Sequence, residues 1–207
     1  MRSPPIKPKK GTTRPRGEYL TKAEVDLVRA GAASRGRHPI RDSTAVLIAY
    51  RHGLRASELV GLNWNQVDWT QKALHVRRSK RGTPGMHPLR RDEVAALRSL
   101  VVDGEMTGPV FRSERGGPLT AGAWDHIVRR AGVAAGLSFP IHSHMLRHAC
   151  GYVLAMAGTD TRAIQAWLGH VNIQHTVGYT NLTMHRFADF FAEEDAESAL
   201  PRSPPIG

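Results

Sequence analysis

The sequence predicts a mainly α-helical domain that carries one small antiparallel β-sheet. Apolar residues recur at helical spacing along most of the chain, and only residues 67–89 alternate with the period of strands. Glycine and proline separate the helical segments, as they commonly do at helix ends. A chain of 207 residues, 41% of them hydrophobic, is long enough for one domain with tails.

The first predicted helix begins at a capping box. Thr21 and Glu24 are spaced so that each side chain bonds the backbone amide of the other, and the apolar period continues to Ala32. Two more helices are predicted before the strand-like stretch, at 40–52, where Gly53 ends the helix, and at 56–61.

The predicted sheet is defined by alternating apolar residues on both sides of a glycine-containing turn at 82–85. These residues are Val67, Trp69, Leu74, Val76, Met86 and Leu89. Helical periodicity then returns to the end of the domain. The predicted helices are 92–102, 121–135, 144–158, 161–168, 173–180 and 184–198.

The charge of the chain favours an anionic polymer as its partner. Lys and Arg total 29 against 18 Asp and Glu, a net charge of +11. Binding DNA or RNA with such a surface releases counterions and is strongly salt-dependent. A ribosome-associated protein, or one that is merely basic, remains an alternative at this point.

Neither a membrane-spanning protein nor one with a signal peptide is expected. No apolar run approaches the roughly 20 residues of a membrane-spanning helix, and the basic first residues have no apolar stretch of a signal peptide behind them. Cys150 is the single cysteine, so an intramolecular disulfide is impossible. We therefore expect a cytoplasmic protein without membrane partners.

Residues 1–17 predict a disordered basic arm. The segment is rich in proline and basic side chains and has almost nothing apolar to fold around. Its expected DNA contacts are Lys7, Lys9, Lys10, Arg14 and Arg16.

The first polar cluster is Arg55 with Glu58, three residues apart and on one face of a short helix. A planar guanidinium held by a carboxylate can be presented to a phosphate. The simpler alternative is an exposed ion pair.

The second cluster is His144 with Arg147, which also share a helical face. Together they can donate several hydrogen bonds to one phosphate. A metal site is the alternative, because His144 and His148 are four residues apart. The glutamate of a zinc-protease HExxH motif is missing, however, and Arg147 would place positive charge beside the cation.

Three further residues complete the polar inventory: His170, Tyr179 nine residues later, and Lys80, which is followed by Arg81 between two predicted strands. No comparable carboxylate cluster could hold Mg²⁺, and the Walker A pattern of nucleotide-binding loops is absent from the sequence. The inventory suits phosphoryl transfer in which cationic side chains neutralise the transition state.

These motifs resemble the tyrosine recombinases of the phage integrase family. Arg55-Ala-Ser-Glu58-Leu, His144-Met-Leu-Arg147-His and Leu-Gly-His170 followed by Tyr179 occur in the family's order, over about residues 20–190. The size and the run after His144 further resemble the compact invertases that switch fimbrial promoters. The resemblance implies the tyrosine recombinase catalytic-domain fold over 18–192, with residues 193–207 as a tail.

The resemblance also implies a role for each residue. Arg55 and Arg147 would contact the scissile phosphate, with His144 and His170 beside them and Glu58 bracing the first arginine. Tyr179 would be the nucleophile that forms a 3′-phosphotyrosine link. Lys80 would protonate the departing 5′ oxygen, although Lys72 lies nearby in the sequence as a competing candidate. Arg81 would contact DNA, and neither a metal nor another cofactor is implied.

The implied partner is double-stranded DNA with recombination half-sites. The family acts as homo-oligomers, with a dimer on each site and a tetramer in synapsis, and accessory DNA-bending proteins are possible partners. The outcome could be inversion, integration or excision. Two alternatives stay open at this stage: a DNA-binding regulator with little activity on the same scaffold, and a strand-nicking, topoisomerase-like enzyme that rejoins the original strand.

Overall fold

The computed structural model describes residues 19–34, 36–79 and 82–180. Within these ranges the chain is mostly helical with a three-stranded sheet, so the predicted fold class is confirmed. The helices are α1 (Lys22–Ser34), α2 (Pro39–Arg51), α3 (Ala56–Val60), α4 (Arg91–Arg98), α5 (Ala121–Ala134), α6 (Ser143–Met156), α7 (Thr161–Leu168) and α8 (Gln174–Thr180).

The core is built by helices α1, α2, α5 and α6, which pack on one another. The predicted capping box starts α1: the Thr21 amide donates to Glu24 Oε2 at 2.8 Å, and the Glu24 amide donates to Thr21 Oγ1 at 3.3 Å. Trp124 of α5 and Leu146 of α6 are among the fully buried side chains. This rigid bundle supports the loops and helix ends that carry the polar clusters.

The sheet is antiparallel in the order β1 (Val67–Asp68), β2 (Ala73–Val76) and β3 (Gly85–Pro88). It is smaller than predicted. Trp69 lies in the turn after β1, where Lys72 adopts a positive φ of 51°, and Leu89 follows β3 with its amide bonded to the Lys72 carbonyl at 2.7 Å. β1 therefore ends before Trp69, and β3 ends before Leu89.

Helix α4 is also shorter than the predicted 92–102. It ends at Arg98 because the Ser99 hydroxyl donates to the Ala96 carbonyl at 2.7 Å. The amides of Leu100 and Val101 then bond carbonyls three residues earlier, which tightens the last turn. The other described helices have ends within two residues of the prediction.

Several predicted segments lie outside the described residues: the arm at 1–17, the helix at 184–198 and the tail at 193–207. In the ranges that the structure covers, no helix combines the length and apolar character needed to cross a membrane.

Candidate active site

Glu58 is the centre of a buried polar cluster. Helix α3 begins after Arg55, whose amide donates to Glu58 Oε2 at 3.0 Å and whose Nη1 donates to Oε1 at 2.7 Å. The Glu58 side chain is 2% exposed, whereas the Arg55 side chain is 24% exposed. The alternative of a solvent-exposed ion pair is therefore wrong, because the carboxylate is enclosed and orients a guanidinium at the surface.

Other donors converge on the same carboxylate. Arg78 Nη1 lies 3.0 Å from Oε2, and the amide and hydroxyl of Ser79 donate to Oε1 at 3.0 and 3.1 Å. Burial alone would raise the pKa of Glu58, but the hydrogen bonds from Arg55 and Ser79 and the charge of Arg78 lower it to about 2. Glu58 is thus a permanent anion at neutral pH.

Arg78 is a central residue that sequence reasoning missed. Its side chain is fully buried, and it donates to the carbonyls of Gly53 at 3.4 Å, His52 at 3.2 Å and Trp167. It therefore ties the end of β2 to the α2–α3 loop and to the end of α7. Nothing local marks it, because it lies in a run of basic residues that is typical of an exposed hairpin.

Arg147 projects from α6 into the same cluster. Its Nη1 donates to the Gly53 carbonyl and its Nη2 donates to the Leu168 carbonyl at 2.8 Å. The residue is 1% exposed, and burial together with the nearby charges of Arg55 and Arg78 lowers its pKa to about 10. Arg147 remains cationic at neutral pH, in an orientation that the two carbonyls fix.

The two predicted histidines occupy different places. His170 is buried directly after α7, and its Nδ1 lies 2.9 Å from the hydroxyl of Thr176. Burial and the charges of Arg147 and Arg55 lower its pKa to about 3. His144 lies in the first turn of α6, exposed on one side, and partial desolvation with neighbouring His148 and Arg147 lowers its pKa to about 4. Both imidazoles are neutral at neutral pH.

Tyr179 on α8 is 5% exposed and packs against α6. Its hydroxyl lies 2.9 Å from His148 Nδ1, and its ring is nearly parallel to that of His170 with 6.3 Å between centroids. Gly151 makes this packing possible, because a Cβ there would lie 2.8 Å from Tyr179 Cε2. Neither His148 nor Gly151 was among the predicted site residues.

The phenol of Tyr179 is within the electrostatic reach of both predicted arginines. Burial raises its pKa to about 12, while the charges of Arg147 and Arg55 act in the opposite direction. The structure thus gathers five of the predicted residues, from α3, α6, α8 and the end of α7. They are Arg55, Glu58, Arg147, His170 and Tyr179, with His144 at the edge.

The sheet separates Lys72, one of the two candidate lysines, from the polar cluster. Lys72 lies before the Ala73–Pro88 pair, and the cluster contacts the opposite end of β2 through Arg78 and Ser79. Lys72 is therefore remote from Glu58. Lys80 and Arg81 lie outside the described residues, as do all the predicted contacts of the arm: Lys7, Lys9, Lys10, Arg14 and Arg16.

The histidine pair that suggested a metal forms a ring contact. The His144 and His148 rings are perpendicular with centroids 4.5 Å apart. In the part of the chain that the structure covers, no three His, Cys, Asp or Glu side chains are grouped so that they could hold a metal ion.

The sequence model of the phage integrase family matches residues 18–186. The chain belongs to the phage integrase family. It is 43% identical over 176 residues to the type 1 fimbriae regulatory protein FimE of Escherichia coli K12, covering 82% of this chain and 88% of FimE. FimB of the same strain is 40% identical over 177 residues, covering 82% of this chain and 86% of FimB.

The fold agrees with this assignment. The crystal structure of XerA recombinase superimposes with a TM-score of 0.70 at 25% identity, covering 97% of this chain and 68% of XerA. The protein is a tyrosine recombinase, an enzyme of site-specific recombination that breaks and rejoins DNA. DNA is accordingly its partner.

Proposed function

We propose that this recombinase cuts DNA by forming a 3′-phosphotyrosine link on Tyr179. The supporting observation is that Tyr179 is buried within the electrostatic field of Arg55 and Arg147, which Glu58 and two backbone carbonyls hold in fixed orientations. Preorganised donors of this kind stabilise the charge that develops on a phosphate in the transition state.

In the proposed cleavage step, the Tyr179 oxygen attacks phosphorus, an O–P bond forms and the bond from phosphorus to the 5′ oxygen breaks. Partly exposed Arg55 and buried Arg147 stabilise the non-bridging oxygens of the phosphate. Neutral His170 and His144 donate further hydrogen bonds. One phosphoester replaces another, so the 5′ hydroxyl of a second strand can reverse the step without an energy source.

The departing 5′ oxygen requires a proton, and we assign its delivery to Lys80. The support is the sequence resemblance together with Ser79, the residue before Lys80, whose amide and hydroxyl donate hydrogen bonds to Glu58. Arg81 and the arm residues would neutralise DNA phosphates beside the cut.

Inversion of a DNA segment is the outcome that the relatives favour, since FimE and FimB are fimbrial regulatory proteins. We propose a homo-oligomer on DNA, with a dimer per site and a tetramer in synapsis, assisted by DNA-bending proteins. The catalytic domain would extend over 18–192 between the arm and the tail. The enzyme would be cytoplasmic and associated with the nucleoid, where its substrate lies.

The nucleophile is tested with nicked suicide duplexes that carry the half-site mapped in DNA flanking the gene. A fragment lost after the nick prevents rejoining, so wild-type protein should accumulate as a covalent adduct. Tyr179→Phe should give no adduct, whereas Tyr50→Phe, which alters a buried tyrosine of α2, should react like wild type. An undiminished adduct with Tyr179→Phe would refute the assignment.

A further inference from the structure

We propose that His148 is a catalytic residue whose Nδ1 accepts the phenolic proton of Tyr179 during attack on DNA. The inference rests on the proposed function, because it concerns how the same nucleophile is activated. Neither His144 nor His170, the histidines that the family motifs single out, contacts the phenol oxygen in this way.

The hydrogen-bond geometry selects His148 among the histidines of the site. Its Nδ1 lies 2.9 Å from the Tyr179 hydroxyl, within the range expected of a proton acceptor. His170 Nδ1 is instead bonded to Thr176, and its ring faces the tyrosine ring from 6.3 Å. Among the residues that the structure describes, no other side chain forms a hydrogen bond with this phenol.

The contact is held by packing from both helices. His148 and Gly151 are three residues apart on α6 and so lie on one face, against which the Tyr179 ring is seated. The Tyr152 ring meets Tyr179 edge to face, with 5.1 Å between centroids. The buried packing of the Tyr179 ring therefore directs its hydroxyl toward His148 Nδ1.

The surroundings keep His148 ready to accept a proton. His142, His144 and Arg147 lie near His148 at the start of α6, and Tyr179 contacts it from α8. Burial, with the positive charge of Arg147 and the nearby His142, lowers the pKa of His148 below its usual value. A neutral imidazole with its proton on Nε2 leaves a lone pair on Nδ1.

Such an acceptor is needed because burial raises the pKa of Tyr179 to about 12. As the phenol oxygen bonds to phosphorus, its proton moves to Nδ1, and the 5′ oxygen leaves with a proton from Lys80. Rejoining returns the His148 proton to the phenol. An imidazolium next to Arg147 is unfavourable until an anion is present, so the incoming phosphate makes the transfer possible. Activation of the nucleophile is thereby coupled to DNA binding.

The kinetic test uses single-turnover cleavage of the nicked half-site duplex by His148→Gln and His148→Ala. Loss of a positioned base should lower the rate by about 10²- to 10⁴-fold. The wild-type rate should be level above the pKa of His148, whereas the log of the His148→Gln rate should rise with pH, because hydroxide must then take the proton. Added imidazole should restore part of the His148→Ala rate, and His75→Gln, at an exposed position of β2, is the matched control.

A measurement without DNA covers the case in which the variants fold poorly. Nitrogen-15 shifts of wild-type protein should show His148 Nδ1 as an unprotonated acceptor that loses its bond in Tyr179→Phe. A protonated Nδ1 overturns the inference, as does a His148→Gln rate close to wild type. The inference also fails if the His148→Gln rate falls without a change in its pH profile and imidazole does not restore the His148→Ala rate. If Tyr179→Phe forms adducts, the proposed function itself fails, so the two failures are distinguishable.

Discussion

Replacement of Glu58 by glutamine should destabilise the fold as well as the site. A carboxyl pKa of about 2, compared with 4.5 for the unperturbed group, corresponds to about 3 kcal/mol of stability from the ionised form. Glu58→Gln also leaves buried Arg78 without its anionic partner, and breaking a buried pair costs about 3–5 kcal/mol. We expect a loss within that range at neutral pH.

The assay is urea unfolding of wild type and Glu58→Gln across acidic pH. Because the folded pKa is depressed, the wild-type contribution is complete above about pH 5 and is lost as pH falls towards 2. The variant should lack this part of the acid dependence. Glu105→Gln, at an exposed loop position, should change stability by less than about 0.5 kcal/mol. A loss below about 1 kcal/mol in Glu58→Gln, with unchanged acid dependence, would show that the Glu58 carboxylate does not stabilise the fold in this way.

Three further outcomes are expected. Gly151→Ala should slow cleavage in suicide-substrate assays, because the added Cβ would displace the Tyr179 ring. Gly122→Ala is the control, since Gly122 is a helical glycine with no atom within 4 Å of an added Cβ. Equal cleavage rates for the two variants would contradict the packing. Arg147→Lys should lower the cleavage rate by about 10²-fold or more, since an ammonium cannot reproduce the planar fork that meets two carbonyls. Deleting residues 1–17 should weaken binding to all DNA sequences and flatten the salt dependence, and an unchanged slope in filter-binding titrations would oppose a role for the arm.

The fold was predictable because its signals are local. The capping box of Thr21 and Glu24 and the turn at Gly53 are specified within a few residues, and both appear in the structure. The ends of α4 and of the strands, which were predicted wrongly, depend on single side chains and turn residues that hydrophobic periodicity does not reveal. Helix α4 ends where the Ser99 hydroxyl competes for a carbonyl, and the turn that follows β1 includes the positive φ of Lys72.

The site was predictable where motif residues are neighbours on one helix, as Arg55 and Glu58 are. Arg78 could not be found in this way, since its partners are carbonyls and a carboxylate distant in sequence that only the folded chain brings together. The sequence analysis considered His148 only as a possible metal ligand, because it lies four residues after His144. Its contact with Tyr179 depends on how α8 packs on α6.

The most direct measurement is to identify the residue joined to DNA. The adduct trapped on a nicked half-site duplex is digested with protease and nuclease, and tandem mass spectrometry locates the remaining nucleotide. We expect a nucleotide linked through its 3′ phosphate to the oxygen of Tyr179. A nucleotide on any other side chain, or one linked through its 5′ phosphate, would contradict it.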